Sequence, residues 1–407
     1  VGRDGYSDEI DWYVVESGDE PAGTPPPRQP WPRWFVLTIA AVLVVVVVTA
    51  LNRERRARQA ARVTTAPTVS ATAPTASGSG TPTATGTSAP ATVLPSTAVS
   101  VTRLGHPLLG ATAGWELLGR GAGVLVRIQP ATGQITRTTI PDLLSGAPVY
   151  LLAGSDRVVI RPLDNVPGYL VVDGKPARQL SPLLNQGPVL PGPAPNQLWI
   201  QPADDHEPVM ALVTPEGVRL APFIRIPEGS SAYDATSDGA GYLLFSGVGG
   251  VYDARPEGLR RITTGALLAV GPTGWLVVEC DEQYRCQTVL IGRVDGSRRV
   301  VNAGTVSRNR IGVISPDGST AAMPTSGPNG DGGLDLIDLG SGRHRAVRVS
   351  ISQDSLDAGL SFSPDSSLLF TVTADGHLAV INRRTGTVGS LGAPLPVLSQ
   401  VVLRPAR

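Results

Sequence analysis

The sequence predicts an all-β fold, a seven-bladed β-propeller of four-stranded antiparallel blades, preceded by a single transmembrane helix and a disordered stalk. Three observations carry that expectation. Residues 34–51 form an uncharged apolar run, residues 63–102 form a charge-free tract of Thr, Ser, Ala and Pro, and beyond them a glycine landmark recurs seven times. The landmarks are Gly133, Gly174, Gly217, Gly258, Gly296, Gly342 and Gly386, spaced 38 to 46 residues apart. That period matches or lies close to the one of propeller blades, in which each repeat is a four-stranded sheet.

Residues 1–33 carry Asp4, Asp8, Glu9, Asp11, Glu16, Asp19 and Glu20 and then a proline-rich run from Pro25 to Pro32. Such a segment cannot bury enough apolar surface to offset its ordering entropy, so it reads as a disordered acidic tail. The run from Trp34 to Leu51, WFVLTIAAVLVVVVVTAL, spans roughly 27–30 Å as a helix, the thickness of a bilayer core. In lipid the helix satisfies every backbone group internally, which overrides the poor aqueous helix propensity of its valines. Trp31 and Trp34 suit the interfacial belt.

Two signals compete over orientation. Arg53, Arg55, Arg56, Arg58 and Arg62 follow the run, while only Arg28 and Arg33 closely precede it, which by charge alone places the C-terminal part in the cytoplasm. The stalk composition of 63–102 and a pair of cysteines point outward. The expectation is a single-pass cell-membrane protein with an extracytoplasmic C-terminal domain; the alternative is a cytoplasmic one. Residues 52–102 are read as an Arg-rich juxtamembrane segment and linker, whose roughly 40-residue flexible part reaches about 35 Å.

Residues 103–407 hold the repeat. The runs before the landmarks, Val124–Ile128, Tyr169–Val172, Ala211–Val213, Thr288–Ile291, Leu334–Ile337 and Leu378–Ile381, are rich in β-branched residues and are assigned as third strands. A large apolar anchor upstream, at Trp115, Val158, Trp199, Tyr242, Trp275 and Leu368, marks the second strands. Glycine ends each turn because a tight strand connection commonly requires positive φ.

Two repeats open with a sharper motif, Ile314-Ser315-Pro316-Asp317-Gly318-Ser319 and Phe362-Ser363-Pro364-Asp365-Ser366-Ser367, with a degraded copy at Thr236-Ser237-Asp238-Gly239. Proline presets φ, aspartate caps the turn and glycine relaxes it, so the motif makes a reverse turn into a strand. The motif resembles the repeat of the TolB-like, WD40-like (PD40-type) β-propeller family. The resemblance covers only the repeat region, and the tryptophan-aspartate ending of WD40 repeats is missing. It implies a platform for binding proteins or ligands and, with the apolar run, a membrane-anchored bacterial protein. Only Lys175 among the 34 basic residues is lysine, the codon bias of a GC-rich, actinobacterial-like genome.

The 34 basic side chains balance 34 acidic ones, so net charge points neither to nucleic acid nor to an acidic substrate. Two cysteines cannot build a disulfide-dense scaffold or a four-cysteine zinc site, and four scattered histidines make no metal cage. No phosphate loop, zinc-protease motif or nucleophile elbow occurs. Cys280 and Cys286 flank the turn Asp281–Arg285, where paired β-carbons come close enough for a disulfide; two free thiols or a redox pair are the alternatives. Asp204-Asp205-His206-Glu207 reads as a solvated hairpin tip and the stretch from Asn329 to Asp335 as a loop, not as cation sites. His106, His344 and His377 have no adjacent nucleophile, and Arg260-Arg261, Arg298-Arg299 and Arg343-His344-Arg345 fall where exposed outer strands belong.

The functional expectation is therefore a membrane-anchored, monomeric binding scaffold, engaging a protein or envelope ligand through the propeller face and the membrane through Trp34–Leu51. It has no catalytic residues, no cofactor, no metal and no nucleic acid partner. The alternatives are a propeller hydrolase or lyase with its site in the central channel, and a sensor signalling through the N-terminal tail around Trp12 and Tyr13.

Overall fold

A computed structural model describes residues 98–405 apart from short segments at 112–113, 144–148, 163–165, 186, 203–207, 248, 303–309, 327–331, 352–358 and 392. The acidic tail, the apolar run Trp34–Leu51 and the linker up to residue 97 lie outside the described residues, as does the Asp204–Glu207 cluster. Among the described residues no helix is long and apolar enough to cross a membrane. The chain divides between Ala89 and Pro90, and the fold below belongs to the second unit.

That unit is an all-β propeller of antiparallel blades. The first sheet contains β1 (Val99–Arg103), β2 (Trp115–Gly121), β3 (Val124–Gln129) and β4 (Gln134–Thr139). The second contains β5 (Val149–Ala153), β6 (Arg157–Pro162), β7 (Tyr169–Val172) and β8 (Arg178–Gln179). The third contains β9 (Val189–Pro191), β10 (Leu198–Ile200), β11 (Val209–Val213) and β12 (Arg219–Arg225), and the fourth β13 (Ala235–Ser237), β14 (Leu243–Gly247), β15 (Gly250–Arg255) and β16 (Gly258–Thr263). Next come β17 (Ala266–Val270), β18 (Gly274–Cys280), β19 (Cys286–Gly292) and β20 (Arg298–Val301), and then β21 (Gly312–Ile314), β22 (Thr320–Ser326), β23 (Gly332–Asp338) and β24 (His344–Ile351). The last sheet contains β25 (Ser361–Phe362), β26 (Leu368–Val372), β27 (Leu378–Asn382) and β28 (Val388–Ser390), and the C-terminal β29 (Leu398–Pro405) returns to the first sheet beside β2.

The expectation of seven separate four-stranded blades is corrected here. Five sheets have the size of a single blade, four of them four-stranded and one five-stranded in the order β1-β4-β3-β2-β29, while β17 to β24 form one eight-stranded sheet. Its two antiparallel halves are joined by a parallel contact of β17 with β21, through Ala269 opposite Gly312 and Val270 opposite Val313. A glycine permits that approach: a β-carbon on Gly271, just after β17, would lie 2.6 Å from Ile314 Cβ of β21.

All seven landmark glycines lie at or next to a connection into a fourth strand with φ between 64° and 145°. At Gly133 the constraint is double, since φ is 64° and a β-carbon would meet the His106 carbonyl oxygen at 2.1 Å. Apolar side chains fill the spaces between sheets rather than one central core. Leu118 and Leu125 pack on Val158 and Ile160, Trp199 on Phe245, and Phe370 and Val380 on Leu117 and Val126, the last group joining the final sheet to the first. First strands neighbour one another, β29 with β5, β5 with β9 and β9 with β13, then β17 with β21, β21 with β25 and β25 with β29.

The Ser-Pro-Asp motif makes the turn from first to second strand and also links sheets. The Asp317 carboxylate accepts from the Ser315 hydroxyl and from the Ser319 N–H at 3.1 Å, and pairs with Arg383 of the following sheet at 2.7 Å. Burial pushes the Asp317 carboxyl up, but the Ser315 and Ser319 hydrogen bonds and the Arg383 charge outweigh it and hold its pKa at about 2. In the degraded copy Asp238 is fully buried, accepts from the N–H groups of Ala240 at 2.7 Å and Tyr242 at 2.8 Å, and lies 3.3 Å from Arg293 of the next sheet. Asp238→Ala removes a turn cap and leaves Arg293 without its carboxylate, so a loss of about 2–3 kcal/mol is expected in urea denaturation. A change below about 0.5 kcal/mol would show that the cap is dispensable.

Candidate functional site

The two ends of the propeller differ in chemistry. At the end where first strands turn into second strands, buried arginines are neutralised by carboxylates. Glu116, at the start of β2, accepts from Arg127 Nε at 2.9 Å and Nη2 at 2.5 Å, from Gln129 at 2.8 Å, and from Arg404 Nε at 2.8 Å and Nη2 at 2.7 Å. Arg404 also donates to Asp173 at 2.6 Å and to the Gly154 carbonyl oxygen at 3.3 Å, which carries the network into the second sheet. Burial raises the Glu116 pKa, and the hydrogen bonds from Arg127, Gln129 and Arg404 overcome it and bring the pKa to about 2. Matched charges that join β2 to β29 and to the second sheet hold a structure together.

Two clefts open at this end. One of about 500 Å³ lies where first strands meet, bounded by Leu152, Gly154, Pro193, Asn196, Gly241 and Leu403. Its walls are mostly apolar side chains and backbone. The other, about 540 Å³ and shallow, lies against Asp253, Arg255, Arg260 and Arg293, with Asp253 buried between the guanidinium groups of Arg255 and Arg260.

At the opposite end, where second strands turn into third strands, two features stand out. The first is the hairpin between β18 and β19. Cys280 and Cys286 face each other in register and form a disulfide, with S–S 2.01 Å and Cα–Cα 3.9 Å. Within the loop the Asp281 carboxylate accepts from the N–H groups of Gln283 at 3.0 Å and Arg285 at 2.9 Å and from Arg285 Nε at 2.7 Å. Those bonds hold Tyr284 at φ 61°, a left-handed conformation unfavourable for a bulky side chain, and leave its ring 89% exposed.

The second feature is Arg161 near the end of β6. It is 5% exposed. Its Nη2 donates to the Asn185 carbonyl oxygen at 3.0 Å, its guanidinium carbon lies 5.8 Å from the Tyr150 ring centroid, and its buried Nη1 has no hydrogen-bond partner among the described residues. The Asn185 side chain is itself fixed by the Gly168 N–H at 3.2 Å. Burial pushes the Arg161 guanidinium pKa down.

The other residues singled out in the sequence do not converge. His344 pairs with Asp335 across β23 and β24, His377 lies 3.6 Å from Asp375, and the His106 ring contacts the neighbouring Pro107 carbonyl oxygen at 3.1 Å. Among the described residues no three His, Cys, Asp or Glu side chains form a group that could hold a metal ion. Arg260, Arg298 and Arg345 sit on the fourth strands β16, β20 and β24 and are occupied by Asp253, Glu279 and the Arg384 carbonyl oxygen. Sequence reasoning passed over Arg161 and the Glu116–Arg404 network. The available signal was a charge inside a strand apolar on both faces, as in Val158-Val159-Ile160-Arg161 and Trp115-Glu116-Leu117-Leu118.

No family profile matches this sequence, and neither does any curated protein. Solved structures similar to the chain include a functionally unknown protein from Desulfotomaculum acetoxidans, at 12% identity and a TM-score of 0.43, covering 72% of this chain and 100% of that one. TolB from Acinetobacter baumannii matches at 13% identity and a TM-score of 0.37 over 72% of this chain and 66% of its own. AztD from Citrobacter koseri matches at 14% identity and a TM-score of 0.41 over 72% of this chain and 98% of its own. What the chain itself displays is a β-propeller, with TolB-like propellers among the structures it is similar to.

Proposed function

We propose that this protein is a membrane-tethered, extracytoplasmic binding scaffold that recognises another protein through the end of the propeller bearing the Cys280–Cys286 hairpin. The observation that carries the reading is Tyr284, a large aromatic side chain held out into solvent by a disulfide and by three hydrogen bonds to Asp281. An exposed ring on a rigid loop loses little conformational entropy on binding, the property of tyrosine anchors in recognition surfaces. A disulfide persists in an oxidising compartment, which supports the outward placement, and the apolar run 34–51 and the uncharged tract 63–102 supply an anchor and a tether.

Two measurements test this. A membrane-impermeant thiol reagent applied to intact cells is expected to label Cys280 and Cys286 only after reduction. Labelling without reductant, and only after permeabilisation, would instead place the domain in the cytoplasm. A photo-crosslinking amino acid at position 284 of the full chain is expected to yield a discrete protein adduct in cells that the same probe at Val294, an exposed site at the other end, does not. Identical adduct patterns from both positions would refute recognition through the hairpin. Tyr284→Ala removes a side chain that is 89% exposed and should leave the melting temperature within about 1 °C.

A further inference from the structure

We infer that Arg161 anchors an anion-binding site that takes the carboxylate or phosphate group of a ligand, with the Tyr150 ring flanking it. The inference starts from a contrast inside the fold. Arg404 and Arg127 share Glu116 and Asp173, and Arg293 has Asp238, so these largely buried guanidinium groups each face a carboxylate. Arg161 is as deeply buried as Arg404, yet it forms no ion pair with any described residue, and its one hydrogen bond goes to a neutral carbonyl oxygen. A guanidinium removed from water without a counter-charge is costly, and a fold retains one where something else supplies the charge. Nη1 offers the donor for it.

The surroundings fit an oxyanion. Arg presents paired N–H groups in a planar fork matching carboxylate and phosphate geometry. The second nitrogen is locked by the Asn185 carbonyl oxygen, which orients the fork before any ligand arrives. Tyr150 lies against the guanidinium carbon. Among the described residues no carboxylate pairs with Arg161, and an anion arriving from outside would supply that charge.

The test uses the full chain in detergent with wild type, Arg161→Met and Arg161→Gln. Thermal unfolding is followed against inorganic phosphate or acetate, with chloride keeping ionic strength constant, and radiolabelled phosphate is counted by equilibrium dialysis. In wild type the melting temperature is expected to rise by about 2 °C for each tenfold increase in the binding anion above its dissociation constant, with one equivalent bound. Both variants should lose that dependence, and affinity should fall at least tenfold. Without a binding anion Arg161→Met should melt no lower than wild type, since it replaces an unneutralised charge by apolar volume. A response to phosphate alone points to a phosphate-bearing ligand, and one to acetate alone to a carboxylate. Equal responses in wild type and Arg161→Gln would overturn the inference, as would a wild type indifferent to both anions. Tyr284→Ala should bind phosphate like wild type, which separates this site from the hairpin reading.

Discussion

Removal of residues 398–407 is expected to abolish cooperative folding of the propeller. β29 supplies the first strand of the opening sheet and pairs with β2 from Leu398 opposite Gly121 to Pro405 opposite Trp115. Without it the sheet exposes the inner edge of β2, and Leu117 and Val126 lose Leu398 and Val401, both buried. Burial of those two side chains alone contributes about 3–5 kcal/mol, comparable to much of the net stability of a domain. The loss extends further, because Phe370, Val372 and Leu378 of the last sheet belong to the same apolar cluster as Leu398 and Val401. Urea denaturation of the truncated full-length chain should show no sigmoidal transition, and amide exchange in β2 and β3 should be unprotected. A transition with an unchanged slope and a midpoint within about 0.5 M of wild type would show that closure by β29 is not what completes the domain.

Glu116→Ala is expected to destabilise the protein by about 3–5 kcal/mol, the cost of breaking a buried ionic network by deleting one partner. Arg404 would keep only Asp173 and a backbone oxygen, while remaining 3% exposed. The same carboxylate makes the fold acid-sensitive in a defined window. Its folded pKa of about 2 lies below the ordinary 4.5, so the folded state favours the charged form. The stabilisation is complete above about pH 5 and is lost as the pH falls from about 4.5 towards 2. It amounts to about 3 kcal/mol at neutral pH. Denaturation midpoints of wild type and Glu116→Gln at pH 7, 4 and 3 should therefore converge on acidification. A gap independent of pH would mean that Glu116 stabilises through packing rather than through its charge.

These expectations show which parts of the molecule a linear reading reaches. The third strands at Val124–Ile128, Leu334–Ile337 and Leu378–Ile381 were legible because alternation and β-branched residues are local properties of a chain lying on a sheet. The landmark glycines were legible for the same reason, since a positive φ is imposed by the turn and by nothing distant. The Ser-Pro-Asp turns were read correctly as local caps, but their links to Arg383 and Arg293 of the following sheets join residues 66 and 55 positions apart, which no local rule reports. The hairpin cysteines sat close enough in sequence for register alone to oppose them.

The candidate sites divide along the same line. Sequence by itself determined the all-β class, the period of the repeat, the turns and the Cys280–Cys286 hairpin, because each depends on contacts within about ten residues. Only the tertiary structure decided that β17 and β21 merge two repeats into an eight-stranded sheet, that Glu116 meets Arg404 across 288 positions, and that Arg161 faces Tyr150 and Asn185 but, among the described residues, no carboxylate. The physical reason is that charge neutralisation in a closed ring is settled between neighbouring sheets. An arginine in a β-strand looks the same in sequence whether the next sheet brings it an acid or leaves it waiting for one.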